Sequence, residues 1–278
     1  MKRFFVNSLI IAAFALSAAF TSYGNEFQMT MTTDSKKVSL KLAGSGTATI
    51  DWGDGNKAET VTLNDFVEEW LGNNYSHVYS DTSSRTITII GANITHLGCY
   101  KNLLTELDVS KNTTLKLLDC SANRLTKLDV SKNTALTHLD CGFNLLTELD
   151  VSKNTALTVL FCNYNELTKL DVSKNTELTH LGCGSNQLTK MDVSKNTALI
   201  SLDFCDNRLT KLDVRKNTEL IRLVCNYNSL SCSAIKALYG TLHGNTTGGK
   251  TIFVARNPGT GCDTSIAEDK GWIVVQKD

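Results

Sequence analysis

Nine cysteines, five histidines and a set of regularly placed aspartates are the residues of this sequence that could do chemistry. Cys99, Cys120, Cys141, Cys162 and Cys183 recur every 21 residues, Phe204 takes the sixth place and Cys225 resumes the file. Thiols in such number suggest disulfides or a metal site, and the spacing speaks against both. Side chains stacked in parallel register do not offer the Cβ–S–S–Cβ torsion of about 90° that a bridge requires. A linear file of thiols is not a tetrahedral cage either. At an inward apolar place a cysteine serves as a small hydrophobe. Cys205 stands one residue off the file, on the exposed side, and Cys232 and Cys262 lie outside the period as the one pair considered for a bridge.

His96, His138 and His180 share one column of the same period. They would stand on alternate strands, about 9–10 Å apart, whereas zinc needs each nitrogen within about 2.1 Å; partly exposed histidines on a sheet are the simpler reading. Asp51 and Asp54 in Asp51-Trp52-Gly53-Asp54-Gly55-Asn56 invite an acid/base or calcium role. No further oxygen ligands are spaced to complete a calcium loop, and Asp-Gly turns cap themselves through side-chain-to-backbone hydrogen bonds. Asp140 and Asp203 are too many strands apart to work as paired carboxylates. No Ser-His-Asp or Cys-His constellation and no glycine-rich phosphate loop stands out. The expectation is therefore a non-catalytic protein with no catalytic residues, no metal and no cofactor. Lys+Arg and Asp+Glu are equal at 28 each, so no strong field gathers nucleic acid or an anionic membrane.

The elements that position these residues are copies of one another. Ten-residue segments beginning at Leu104, Leu125, Leu146, Leu167, Leu188 and Leu209 realign at a shift of 21 residues, and a fixed period of this length means a solenoid. The first half of each copy reads Leu-x-x-Leu-x-Cys-x-x-Asn-x-Leu, intact at Leu136, Leu139, Cys141, Asn144 and Leu146. An asparagine column from Asn102 to Asn228 can satisfy backbone groups in its own coil and a neighbouring one. Asp-Val-Ser/Arg-Lys-Asn-Thr, beginning at Asp108, Asp129, Asp150, Asp171, Asp192 and Asp213, forms the opposite side. One copy alone cannot bury enough apolar surface to fold, so stability belongs to the array.

This pattern resembles the leucine-rich repeat, and in its short period the bacterial surface proteins of the internalin-like kind, over about 94–230. The resemblance implies a right-handed solenoid with a concave parallel sheet and a role in holding other macromolecules. The Trp-Gly-Asp-Gly turn, followed by His77-Val78-Tyr79-Ser80-Asp81 and Arg85–Ile90, resembles the polycystic-kidney-disease-type β-sandwich, a spacer in bacterial surface proteins.

The expected organisation is mainly β. Residues 1–24 read as a signal peptide, with Lys2 and Arg3, an apolar run from Phe4 to Phe20, and small residues at 22 and 24. Residues 25–92 read as a small β-sandwich with strands at 27–32, 37–41, 47–52, 59–63 and 86–90 and a helical insert at 64–71 carrying Phe66, Trp70 and Leu71. Residues 93–230 hold seven 21-residue repeats. Beyond Leu230 the period ends, and 231–278 read as an α/β cap with a helix from Ser231, strands at 251–255 and 272–275, and a helical turn around 265–269. The mature chain is expected to be an exported monomer, secreted, at the cell surface or in the periplasm, with no membrane insertion after signal removal.

Recognition belongs where the copies differ. Beside the inward Leu and Cys, three columns vary: His96, Leu117, His138, Val159, His180, Ser201, Arg222; then Gly98, Asp119, Asp140, Phe161, Gly182, Asp203, Val224; then Lys101, Ala122, Phe143, Tyr164, Ser185, Asp206, Tyr227. The candidate binding residues are Phe143, Phe161 and Tyr164 flanked by His138, Asp140 and His180, together with Asp203, Arg222 and Tyr227, since aromatics exposed beside charges mark contact sites. The expected partner is an extracellular protein or glycan. A structural spacer or assembly unit, and a hydrolase of surface polymers, are the alternative classes.

Overall fold

The computed structural model describes residues 27–65, 73–246 and 248–277. The signal segment and Phe66, Trp70 and Leu71 of the expected insert lie outside the described residues. The N-terminal strands are β1 (Gln28–Thr33), β2 (Lys37–Gly44), β3 (Thr47–Asp51), β4 (Glu59–Thr62), β5 (Asn73–Val78) and β6 (Arg85–Ile90). The first repeat supplies β7 (Ile94–Gly98) and β8 (Leu104–Asp108), and it joins two sheets. One sheet runs β4-β3-β6-β1-β8, antiparallel throughout. In the other, β2 and β5 extend the solenoid sheet antiparallel to β7. Met29, Met31, Val38, Leu40, Ile87 and Ile89 belong to the same apolar core as the repeat leucines, so the N-terminal strands and the solenoid are packed as one body.

β5 was not expected. Asn73-Asn74-Tyr75-Ser76-His77-Val78 lacks the β-branched density of a strand, and its burial alternates between partly exposed and exposed because it is the sheet's edge. The Trp52 turn is locked from this edge. Asp51 Oδ1 accepts from the Gly53 N–H (2.9 Å) and Asp54 Oδ1 from the Asn56 N–H (3.0 Å), each capping its own turn. His77 Nε2 reaches Asp54 Oδ2 at 2.9 Å and stacks on Trp52 at 5.2 Å, while the Tyr79 hydroxyl donates to the Trp52 carbonyl (2.7 Å).

From here each coil contributes three residues to one parallel ladder: β9 (Leu117–Asp119), β10 (His138–Asp140), β11 (Val159–Phe161), β12 (His180–Gly182), β13 (Ser201–Asp203) and β14 (Arg222–Val224). Register is strict, with His138 opposite Leu117 and Val159, and Asp140 opposite Asp119 and Phe161. The central leucine of every strand is buried, as is the residue that follows the strand, a cysteine in every coil but that of β13, where it is Phe204. Burial holds the thiols of Cys99, Cys120, Cys141, Cys162, Cys183 and Cys225 well above their ordinary range, so they remain protonated, inert core groups.

Two asparagine columns bond the coils together. Asn144 Oδ1 accepts from the Leu125 N–H (2.9 Å), and its Nδ2 donates to the carbonyls of Cys120 (3.0 Å) and Cys141 (3.1 Å). It therefore satisfies its own coil and the preceding one. The second column, in the Asp-Val-Ser-Lys-Asn segments, is more deeply enclosed: Asn154 Nδ2 donates to Val130 and Asn133 carbonyls, both at 2.9 Å, while its Oδ1 has no partner. The segment's aspartates stay at the surface and cap their own turns, as Asp150 Oδ1 does for the Ser152 N–H (2.8 Å).

The ladder does not stop at β14. After α1 (Cys232–Thr241), β15 (Thr251–Phe253) pairs in parallel with β14, and β16 (Ile273–Val275) pairs in parallel with β15, with α2 (Ser265–Glu268) between them. Ile252 and Val254 take the Leu and Cys places, and Asn257 takes the asparagine place: its Oδ1 accepts from the Leu230 N–H (3.1 Å) and its Nδ2 donates to the Cys225 carbonyl (2.8 Å). The insertion of α1 lengthens this coil and hides it from a search at a fixed period. Cys232 and Cys262 form a disulfide across this coil, and the remaining seven cysteines are free.

Candidate functional site

The concave face is built from side chains whose neighbours leave them little freedom. Thr137 Oγ1 donates to the Lys116 carbonyl (3.1 Å) and lies 3.0 Å from His138 Nδ1. Because the hydroxyl hydrogen is committed to the carbonyl, Nδ1 must be the protonated nitrogen, which leaves Nε2 as an acceptor. Thr179 fixes His180 in the same way, at 3.0 and 2.9 Å. Burial lowers the pKa of His138, and the neighbouring His180 adds to the effect, so the imidazole at β10 is neutral at pH 7. The two rings stand on alternate strands, β10 and β12, with Val159 between them. Among the described residues, no group of three or more His, Cys, Asp or Glu is placed to hold a metal ion.

In the next column Asp140 lies opposite Asp119 on the adjacent strand. Asp203 stands three strands away, too far to pair with Asp140 as the spacing implies, and its Oδ1 accepts from the Cys205 N–H (2.9 Å). The nearby carboxylate is Asp119, visible in the column yet not singled out. Burial pushes Asp140 from 3.8 up to about 6, and the charge on Asp119 pushes in the same direction, against a hydrogen bond from the Gly142 N–H. Between those two values the folded chain holds a proton the unfolded chain has released, so this group's contribution to stability falls as pH rises through the window. Asp140→Asn keeps an acceptor for Gly142 and removes the charge. It should raise stability at pH 8 by on the order of 1–2 kcal/mol, discounted for partial solvent screening, and leave it unchanged at pH 4. Thermal melts at the two pH values test this; equal shifts at both would assign the effect to packing instead.

The third column lies not on the strands but just beyond them. Lys101, Ala122, Phe143, Tyr164, Ser185, Asp206 and Tyr227 all have φ between 50 and 55°, as the chain turns out of each strand. The left-handed conformation is costly for residues other than glycine, and it holds these side chains on the rim of the concave face. Phe143 and Tyr164, 56% and 51% exposed, stack at 4.1 Å between centroids with planes 15° apart. Phe161, half-buried on β11, lies apart from this stack and over Gly182, where a Cβ would fall 2.9 Å from its ring. Arg222 packs its guanidinium over Phe253 of β15 at 4.7 Å. Tyr227 is exposed on the rim three coils beyond Tyr164. The structure thus joins Phe143 to Tyr164, sets Phe161, His138, Asp140 and His180 on the strands beside them, and places Asp203, Arg222 and Tyr227 farther along.

No protein-family model and no curated protein matches the chain. Among solved structures it is similar to the functional domain of InlJ from Listeria monocytogenes, which includes a cysteine ladder: 35% identity and a TM-score of 0.51, over 66% of this chain and 44% of that one. It is also similar to a leucine-rich repeat protein of Leptospira interrogans, at 19% identity and a TM-score of 0.50, over 67% of this chain and 55% of that one. A third similarity is to internalin C2 from Listeria monocytogenes, at 20% identity and a TM-score of 0.43, over 52% of this chain and 77% of that one. The chain spans less than half of the InlJ domain and about half of the Leptospira protein. Its fold is that of a leucine-rich repeat solenoid. Among the described residues no helix is long and apolar enough to cross a membrane.

Proposed function

We propose that this chain is a non-catalytic binding and adhesion module, exported and secreted or displayed at the cell surface, which holds an extracellular protein or glycan against its concave face. The observation that carries the reading is the exposed Phe143–Tyr164 stack beside half-buried polar columns, on a scaffold whose other positions repeat almost without change. Solvent-exposed aromatics held by a rigid backbone make contact area at little entropic cost. The similarity to the InlJ domain supports the same reading.

The test is capture of extracellular-matrix proteins and glycans by the purified full chain, with Phe143→Ala/Tyr164→Ala as the comparison. The double variant removes exposed rings and should shift unfolding by less than about 1 kcal/mol. It should weaken the captured interaction at least tenfold; binding that survives intact would remove the rim from the site.

A further inference from the structure

Resting on that reading, we infer that the rim stack is a carbohydrate subsite for β-linked, gluco-configured sugars, which bind over the outer faces of Tyr164 and Phe143. The two rings come from adjacent coils, and their small interplanar angle and 4.1 Å separation set the stacking axis along the solenoid. Each ring therefore spends one face on its neighbour and turns the other toward the next coil. There the rim residues are short: Ser185 beyond Tyr164 and Ala122 beyond Phe143. One coil farther stand the exposed Asp206 and Lys101. Coils repeat at about 4.8 Å, so the ring and the charged residue two coils away stand about 10 Å apart, bounding a slot that one flat ring can enter.

The chemistry of that slot selects its occupant. One wall is an aromatic face, which favours a surface of C–H bonds carrying slight positive charge. The other wall is a carboxylate with a serine hydroxyl at the base, or an ammonium in the second slot. An aromatic side chain of a protein would satisfy the first wall and strip water from the charge on the second without replacing its hydrogen bonds, at a cost. A pyranose satisfies both. When all its ring substituents are equatorial, each face is clad only in axial C–H bonds while the hydroxyls point outward from the edge, toward the Ser185 hydroxyl at the base and toward the mouth of the slot, where the exposed Asp206 carboxylate can turn to meet them. The rest of the concave face fits the same class of ligand, since His138, Asp140 and Asp203 place charge and acceptors where the core of a protein interface is depleted in charged residues.

The experiment is calorimetric titration of the full chain with the hexamers of β-1,4-linked glucose and of β-1,4-linked N-acetylglucosamine, with an α-1,6-linked mannose hexamer as the comparison sugar. Binding of at least one β-linked hexamer and none of the mannose hexamer is expected, and which of the two binds identifies whether the N-acetyl group is read. Tyr164→Ala should weaken that binding at least tenfold. Ser185→Leu should do the same by filling the slot with the ring stack intact; Leu103 already occupies the left-handed region at φ 56°, so leucine is tolerated in that geometry. Equal binding by wild type and both variants would overturn the subsite. Failure of both β-linked hexamers, while a matrix protein is still captured in a Phe143- and Tyr164-dependent manner, would overturn the sugar inference and leave the binding-module reading standing. Failure to capture sugar or protein would take down both.

Discussion

Asn144→Ala should lower the unfolding free energy by about 3–5 kcal/mol, whereas Asn154→Ala, the same change at a more deeply enclosed asparagine one half-coil later, should cost about 1–2 kcal/mol. The difference comes from what each amide leaves behind. Removing Asn144 strands the buried Leu125 N–H and takes one of two amide donors from the carbonyls of Cys120 and Cys141, which keep Asn123 and Asn165. Removing Asn154 strands no N–H: the carbonyls of Val130 and Asn133 lose one donor each but keep the N–H groups of Asn133 and Leu136, and the change also deletes an oxygen that has no partner in the folded chain, so part of the loss is returned. In an array whose stability is a sum of coil and interface terms, damage at a central interface also separates the two halves. Asn144→Ala should broaden the denaturant transition or divide it in two, and Asn154→Ala should leave it single. Equal midpoints for the two variants in urea titrations monitored by circular dichroism would defeat this account of the ladders.

The contrast between the two columns could not be read from residue type, because both are asparagine at the same period. What periodicity did reveal was every position that faces inward: Leu136, Leu139, Cys141, Leu146, Leu149 and Val151 are buried as expected, and the histidine and aspartate columns share the register that the spacing implied. The losses have separate physical causes. β5 is an edge strand held by backbone pairing, so its sequence carries no apolar alternation to detect. The coil closed by Asn257 was missed because α1 lengthens it while its chemistry stays the same. The rim is the most instructive case. Its constant feature is a left-handed backbone angle, occupied in turn by Lys, Ala, Phe, Tyr, Ser, Asp and Tyr. Neighbouring coils impose that angle through the hydrogen bonds from Phe143 N–H to the Asn163 carbonyl and from Tyr164 N–H to the Gly184 carbonyl. Tertiary bonding overrides local preference there, and no local signal announces it. Hence the sequence could name Phe143 and Tyr164 as candidates, but not show that they meet face to face while Phe161 turns to Gly182.

Phe204→Cys provides the second large effect, because two arguments predict opposite signs. Cysteine fills this place in the coils on either side, at Cys183 and Cys225, and restoring the commonest residue at a repeat position is an ordinary route to stabilisation. Packing opposes it. Phe204 is among the largest fully buried side chains of the molecule, so its coil and the two against it have closed around a ring. Interiors are close-packed, and surroundings relax only partly when a large group is removed. Cysteine would leave most of the ring's volume empty between layers that continued hydrogen bonding holds at a set spacing: the Phe204 N–H donates to the Val224 carbonyl at 2.7 Å, and both Asn207 and Asn228 donate to the Phe204 carbonyl. The cavity effect therefore dominates, and the expected result is a loss of about 2–4 kcal/mol, with Phe204→Leu losing roughly half as much. Small apolar solutes should recover part of the loss in the cysteine variant, since an apolar cavity stays dry and accepts them. A cysteine variant as stable as the parent would show that this layer can collapse, and that the phenylalanine is an accident of the repeat rather than a fitted part of its core.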